Sequence, residues 1–171
     1  MDWQRFRRHL VTDQRSVRKL FPAESLKQLE QATRHGEQMH RGQVRLAIEA
    51  SLPLAAIRAG HSPRARAIDV FSQLRLWDTD NNSGVLVYLL VADRAVEIVA
   101  DRGIAAHVDP AVWSEVCGRM EGRFRAGDFA GGARHGLVEI GALLALHFPR
   151  AHGDNRPAGT GNEVPDAPVI L

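Results

Sequence analysis

Short apolar runs separated by polar turns predict a small sheet. Apolar and polar residues alternate over residues 43–50, which is typical of a half-buried strand. The run 84–92 is almost entirely apolar, so we expect a central strand that is covered on both faces. Residues 95–102 alternate again, and Asp93-Arg94 is suited to a two-residue turn between the last two strands. The pattern therefore predicts a tight antiparallel hairpin, with the 43–50 strand as a candidate sheet edge.

Helical periodicity dominates the rest of the chain, and the expected helices fall on both sides of the strands. The sequence Asp109-Pro110 is a favourable N-cap and first helical position. Gly132, Gly136 and Gly141 fall in the last helix and predict close helix packing there. The predicted helices are residues 3–20, 23–40, 64–76, 110–125 and 129–148. This order predicts an α/β fold, a single-domain α/β/α sandwich with a mixed sheet of three to four strands flanked by helices.

Both ends of the chain differ from the predicted domain, which we place at residues 21–149. Residues 1–20 carry six basic and two acidic residues, a net charge of +4. This segment is either a basic arm for an anionic membrane face or an acidic partner, or a solvated helix that lies over the domain. Residues 150–171 are predicted to be a flexible tail with an apolar end. That end either docks on a groove or sheet edge or is disordered.

The hairpin also predicts where chemistry could occur. Its outer ends must lie side by side, so an acidic loop at 77–84 should meet Asp101 and Arg102. Oxygen-rich side chains on a bending backbone suit a hard cation such as Ca²⁺ or Mg²⁺. The candidate ion ligands are Asp78, Asp80, Asn82 and Asp101. Trp77, Asn81 and Arg102 are candidates for structural or interaction roles around them.

Other interpretations of the loop remain open. It lacks the glycine and glutamate that complete an EF-hand, since Ser83 and Leu89 occupy those places. Arg75 or Arg102 could neutralise the aspartates instead of an ion, or Asx-turns could satisfy the loop internally. Trp77 is expected to form an apolar lid between helix and sheet, with a recognition aromatic as the alternative.

Composition narrows the class of protein. The 22 basic residues nearly balance 20 acidic ones, and the few aromatics do not alternate with a basic stripe, so nucleic-acid binding is not expected. The single cysteine, Cys117, excludes an internal disulfide. No signal peptide, membrane span or nucleophile motif is recognisable, and one Glu37-x-x-His40 pair does not make a di-iron site. We therefore expect a cytoplasmic protein, either free or peripheral to the inner face of a membrane.

Three motifs in the hairpin region resemble the TPM domain, a family that includes thylakoid-lumen photosystem II repair proteins. They are Trp77-Asp78-Thr79 with Asn82-x-Gly84-Val85-Leu86-Val87-Tyr88, then Asp93-Arg94, then Val99-Ala100-Asp101-Arg102-Gly103-Ile104. The likeness extends over about residues 20–150 and is closest to a short bacterial branch without signal peptide or membrane anchor. The ending Asn162 to Leu171 also resembles that branch.

The resemblance implies a sheet between helices and a divalent-ion site, often calcium, at the acidic loops. It also implies an acid phosphatase activity, ascribed to plant relatives, and a LemA-type or other membrane-associated protein partner. The first hypothesis is therefore a non-catalytic interaction module with an ion site, acting in assembly or maintenance of a membrane-associated complex. The alternatives are a metal-dependent phosphatase that uses the same cleft and an ion-free scaffold in which Arg102 neutralises the loop.

Overall fold

The computed structural model describes residues 2–150 and 163–171. The elements of this part are, in chain order, α1 (Trp3–Val11), α2 (Gln14–Leu20), α3 (Ala23–Glu37), β1 (Gln43–Glu49), α4 (Leu54–Arg58), α5 (Pro63–Gln73), a 3-10 turn (Asp80–Asn82), β2 (Gly84–Leu90), β3 (Ala95–Ala100), α6 (Arg102–Ala105), α7 (Pro110–Arg125), α8 (Phe129–His147) and β4 (Val169–Ile170). Within the described residues, no helix combines the length and apolar character that a membrane crossing requires.

The strands form one mixed sheet in the order β3-β2-β1-β4. β1 runs parallel to β2, with Val44 beside Val85, and β2 runs antiparallel to β3, with Val87 opposite Ile98. The connection from β1 to β2 passes through α4 and α5, as a parallel pair requires. The predicted α/β class and the predicted number of strands are confirmed.

Two apolar cores lie on opposite faces of the sheet, because successive strand side chains point to opposite sides. Leu46 and Val87 face the core shared with α3, α7 and α8. Leu86 and Tyr88 face the second core, which contains apolar residues of α4 and α5. Every residue of β2 is buried, which confirms its predicted central position. The result is an α/β/α sandwich.

The prediction that the 43–50 strand is half-buried and at an edge is wrong. β1 is buried on both faces and lies between β2 and β4. The predicted two-residue hairpin turn is also wrong, since residues 91–94 form the turn and Arg94 N–H donates to Val91 O at 3.0 Å. Before turning, the chain still pairs with the continuation of β1, because Val91 N–H donates to Glu49 O at 3.0 Å.

The predicted helix over residues 3–20 is two helices, because the backbone changes direction at Asp13. The Asp13 carboxylate accepts a hydrogen bond from Ser16 N–H at 2.9 Å, and Ser16 Oγ accepts one from Asp13 N–H at 3.4 Å. This capping box begins α2. Val17 of α2 is fully buried in the core, so the second half of the basic segment is built into the domain.

Residues 163–171 of the predicted flexible tail pack on the sheet edge, whereas 151–162 lie outside the described residues. β4 pairs in parallel with β1, and Leu171 N–H donates to Ile48 O at 3.0 Å. Arg45 Nη1 donates to the carbonyl of Ala167 at 2.6 Å, and Gln43 Oε1 accepts from Glu163 N–H at 2.9 Å. The apolar end therefore docks on a sheet edge of its own chain.

Close helix packing at the glycines of α8 is confirmed. A side chain at Gly136 would collide with the sulfur of Met120 on α7. A Cβ at Gly141 would lie 3.3 Å from the Cα of Gly36 on α3. The missing side chains at these glycines thus let α8 pack closely against both α7 and α3 on this face of the sheet.

Candidate ion site at the loop corner

The acidic loop begins where α5 ends. Arg75 adopts a positive φ of 55°, and Leu76 N–H donates back to Phe71 O at 3.1 Å, which ends the helix. Leu76 is fully buried and takes the position expected for a lid. Trp77 is instead 51% exposed, with the Arg75 guanidinium 5.8 Å from its ring centroid. The prediction of an apolar Trp77 lid is wrong, and the ring lies on the surface.

The next residues form a tight turn held by hydroxyl groups. Ser83 N–H donates to Thr79 Oγ1 at 3.0 Å, and Ser83 Oγ donates to Asp80 O at 2.8 Å. Asn81 and Asn82 have positive φ values of 61° and 52°. Asparagine tolerates this left-handed conformation better than most residues, which explains why two amides stand here. The Asx-type alternative is thus replaced by a turn capped through Ser and Thr hydroxyls.

The end of β3 meets this turn, as the hairpin predicted. Asp101 N–H donates to Gly84 O at 2.8 Å, and Arg102 Nε donates to Asn82 Oδ1 at 3.0 Å. Gly103 lies directly against the loop, because a Cβ there would collide with the carbonyl oxygen of Asn81 and lie 2.7 Å from that of Asn82. We call Asn81, Asn82, Asp101 and Gly103 the loop corner.

One carboxylate oxygen at the loop corner lacks a counterpart. Oδ1 of Asp101 caps α6 by accepting from Arg102 N–H at 2.7 Å. Oδ2 is buried and has no hydrogen-bond partner in the part of the chain that the structure describes. A buried carboxylate oxygen without a donor is costly, and a cation is one way to satisfy it. The main-chain carbonyl oxygens of Asn81 and Asn82 face Gly103, two residues from Asp101, and oxygens of this kind are the ligands that a hard cation prefers.

The other two predicted ligands, Asp78 and Asp80, contact other residues and not Asp101. Asp78 pairs with Arg75 at 3.4 Å, and both side chains are more than half exposed. The backbone N–H of Asp80 donates to Glu163 Oε2 at 2.8 Å. Across residues 2–150 and 163–171, no three His, Cys, Asp or Glu side chains gather in a metal-binding group. An ion at the corner would thus rely mainly on main-chain carbonyl oxygens and on the one carboxylate of Asp101, whose Oδ2 is buried.

Neither of the arginines predicted to neutralise the loop, Arg75 and Arg102, forms a buried salt bridge with it. Arg75 makes an exposed ion pair with Asp78, which is worth little in water. Arg102 donates to the amide oxygen of Asn82, and no ion pair with Asp101 is formed. The charge of Asp101 is therefore left without a direct cationic partner among the described residues.

A cavity of about 350 Å³ adjoins the loop corner. Sequence reasoning missed the basic groups around it, because they come from separate elements without shared spacing. His107 Nδ1 lies 3.1 Å from Gly103 O, and its ring packs edge-on against Phe148. The lining residues are Arg41, Asn81, Ser83, Gly103, Ile104, His107, His147 and Phe148. The cavity thus places a guanidinium and two imidazoles beside the candidate ion site.

Comparisons with known proteins agree with this fold. The chain is similar to the BA42 protein of the psychrophilic bacterium Bizionia argentinensis, with 27% identity and a TM-score of 0.72 over 88% of this chain and 95% of that one. It also shares the fold of the N-terminal domain of a P. gingivalis protein, at 15% identity and a TM-score of 0.60, over 77% of this chain and 83% of that one. No curated protein matches. The model of the TPM domain matches residues 11–143, and the chain therefore belongs to the TPM domain family.

Proposed function

We propose that this TPM domain is a non-catalytic interaction module that binds Ca²⁺ or Mg²⁺ at the loop corner. The module would act in the assembly or maintenance of a membrane-associated protein complex, with a LemA-type or similar protein as partner. The observation that carries the ion site is the buried Oδ2 of Asp101, which has no hydrogen-bond partner among the described residues. The cellular setting we propose is the cytoplasm, at the inner face of a membrane.

The chemistry of the corner supports a hard cation. Ca²⁺ and Mg²⁺ prefer oxygen ligands, and Ca²⁺ accepts carbonyls and carboxylates in flexible geometry. Asp101 would supply the charge, and the carbonyls of Asn81 and Asn82 would supply neutral oxygens. Asp78 and Asp80 carry the remaining carboxylates of the loop and are proposed as accessory ligands.

An ion at the loop corner would link the asparagine turn to α6, and through Asp80 to Glu163 of the C-terminal segment. It would hold the asparagine turn against α6 and so restrict the loop, which also holds Glu163 through Asp80 N–H. Trp77 lies exposed on the same loop with Arg75 stacked on it. Tryptophan and arginine are enriched where proteins bind each other. We therefore propose the Trp77 surface as the part of the loop that contacts the protein partner.

A backbone amide NMR titration with Ca²⁺ and with Mg²⁺ tests the ion site. We expect saturable shifts for residues 80–83 and 101–104, and we expect Asp101→Asn to remove them. The matched control is Asp109→Asn, because Asp109 caps α7 through its carboxylate as Asp101 caps α6. Asparagine is also a good N-cap, so both variants keep the cap and lose one charge. Absence of saturable shifts at millimolar ion would reject the site.

The adjoining cavity favours one alternative function, a metal-dependent phosphatase. When bound, the ion would polarise a phosphoryl oxygen. Arg41 would bind a second phosphate oxygen, since a guanidinium matches that geometry. His107 and His147 line the same cavity, and their ring nitrogens would hydrogen-bond to the phosphate or to the attacking water. The Ser83 hydroxyl also lines the cavity, but it donates a hydrogen bond to Asp80 O at 2.8 Å, so we propose water as the attacking group.

Hydrolysis of p-nitrophenyl phosphate separates the two functions. A phosphatase requires turnover that depends on Ca²⁺ or Mg²⁺ and falls strongly in both Arg41→Ala and Asp101→Asn. The control is Arg134→Ala, an exposed arginine on α8. The interaction module predicts ion binding without turnover. Ion-dependent turnover that is lost in both Arg41→Ala and Asp101→Asn and retained in the control would establish the phosphatase instead.

A further inference from the structure

Helix α1 presents apolar side chains to solvent. Trp3, Leu10 and Val11 are 71%, 61% and 69% exposed. At 100° per residue these positions fall on one side of the helix, around Arg7. His9, on the opposite side, is the buried residue of α1. The helix therefore has an inner face that holds it to the domain and an outer face that is apolar and basic.

The inner contacts fix which face of α1 points outward. Leu52 N–H donates to His9 Nδ1 at 3.0 Å, so the ring proton must lie on Nε2, which is 3.0 Å from Asp93 Oδ1. Arg5 Nε donates to the same carboxylate at 3.0 Å. The helix could not rotate its apolar side inward without breaking these buried contacts. The exposed face is thus a fixed feature of the fold.

The charge around α1 is unbalanced. Residues 1–20 carry +4 while the whole chain carries +2, so residues 21–171 carry −2. Arg5 and Arg8 pair with Asp93. Among the described residues, no carboxylate lies within ion-pair distance of the other four cations, which are Arg7, Arg15, Arg18 and Lys19. These positive charges are available to an anionic surface.

We propose that α1 binds the surface of an anionic lipid bilayer. Trp3, Leu10 and Val11 would enter the boundary between headgroups and acyl chains, where tryptophan is favoured. Arg7 and the cations of α2 would attract phosphate and carboxylate headgroups, and this attraction acts over about a Debye length. A helix with apolar side chains on one face and cations around them is the usual form of such a surface anchor.

This inference rests on the membrane association of the proposed function and names α1 as the surface that contacts the membrane. It does not require an ion at the loop corner. Vesicle binding should therefore persist in EDTA and in Asp101→Asn. Failure of the ion site would leave vesicle binding intact, whereas failure of the vesicle experiment would leave the ion titration unaffected. The two proposals can be judged separately.

Co-sedimentation with vesicles of phosphatidylcholine containing about 30% phosphatidylserine tests the proposal directly. We expect binding to these vesicles, little binding to pure phosphatidylcholine, and a loss of affinity as salt rises. The double variant Leu10→Ser, Val11→Ser should bind about tenfold more weakly. Its matched control is Leu146→Ser, because Leu146 on α8 is 73% exposed and lies outside α1.

A charge variant and a fluorescence readout complete the experiment. Arg7→Gln combined with Arg18→Gln should weaken binding about tenfold, whereas Arg134→Gln on α8 should not. Vesicles should shift the tryptophan emission to the blue, and Trp3→Phe should remove that shift. No binding to anionic vesicles, or unchanged binding in both the apolar and the charge variant, would overturn the proposal. A dimer that dissociates in the Leu10→Ser, Val11→Ser variant would assign the face to a second copy instead.

Discussion

The backbone N–H of Asp80 donates a hydrogen bond to Oε2 of Glu163 at 2.8 Å, which joins the acidic loop to the C-terminal segment. Gln43 at the start of β1 accepts from the backbone of Glu163, and Arg45 donates to two carbonyls further along the segment. Val164 is buried in the second core. The segment is therefore an integral part of the sheet edge beside the candidate site.

Deleting residues 163–171 should destabilise the domain. The deletion removes β4, the burial of Val164 and the acceptors of Arg45, so we expect a loss of about 2–4 kcal/mol in the free energy of unfolding. Urea unfolding followed by circular dichroism measures this loss. The control variant Glu163→Gln keeps the segment and changes one exposed contact, so its midpoint should stay near wild type. An unchanged midpoint in the deletion would contradict this role of the segment.

A buried carboxyl pair makes stability depend on pH. Burial, together with a hydrogen bond to Asp166, raises the pKa of Glu37 from 4.5 to about 8, while Val44 N–H and the charge of Arg150 oppose the shift. Arg34 Nε donates a hydrogen bond to Oδ2 of Asp166 at 3.0 Å. Glu37 is therefore protonated in the folded state at neutral pH and can donate a hydrogen bond to Asp166.

The sign of the pH effect follows from proton binding. Between pH 4.5 and 8 the folded state binds more protons at Glu37 than the unfolded state, so the free energy of unfolding should fall as pH rises. The contribution is complete below pH 4.5 and lost above pH 8. Glu37→Gln keeps a donor for Asp166 and an acceptor for Val44 N–H, so it should flatten this slope and stabilise the protein at pH 8 by about 1–2 kcal/mol.

Chemical denaturation at a series of pH values measures this slope. Glu24→Gln on the same helix is exposed and should keep the wild-type pH dependence. If Glu37→Gln also kept the wild-type dependence of unfolding free energy on pH, a group other than Glu37 would be responsible for it.

Gly103→Ala should open the loop corner. A methyl group there would collide with Asn81 O, so the loop or α6 must move, at a cost of about 1–3 kcal/mol. The displaced carbonyls should also weaken ion binding, which calorimetry with Ca²⁺ would measure. Gly118→Ala is the control, because a Cβ at this position of α7 meets nothing within 4 Å. It should leave ion binding unchanged and stabilise the helix by up to about 1 kcal/mol.

The sequence predicted the meeting of Asn82 with Asp101 and Arg102 because a hairpin constrains its own ends. It could not reveal that Asn81 and Asn82 turn their carbonyls toward Gly103, since that depends on their positive φ values. It also could not separate Asp78 from the corner. The alternation of Asp78, Asp80 and Asn82 suggests one cluster of ligands. The tight turn after Thr79 instead separates the contacts of these side chains.

The other differences arise from contacts that are distant in sequence. The sequence suggested β1 as an edge strand because its second partner, β4, lies more than 100 residues later in the chain. The basic cavity escaped notice because Arg41, His107 and His147 come together only when α6, α8 and the start of β1 pack. The break between α1 and α2 was different, because Asp13-x-x-Ser16 is a local capping signal that the apolar pattern concealed.

Calorimetric titration of Asp101→Asn with Ca²⁺ tests the central claim most directly. If the buried Oδ2 of Asp101 is a ligand, wild type and Asp109→Asn should bind one ion with the same affinity, and Asp101→Asn should bind at least about tenfold more weakly. Equal affinity in all three proteins, or no heat of binding in any of them, would contradict an ion site at the loop corner.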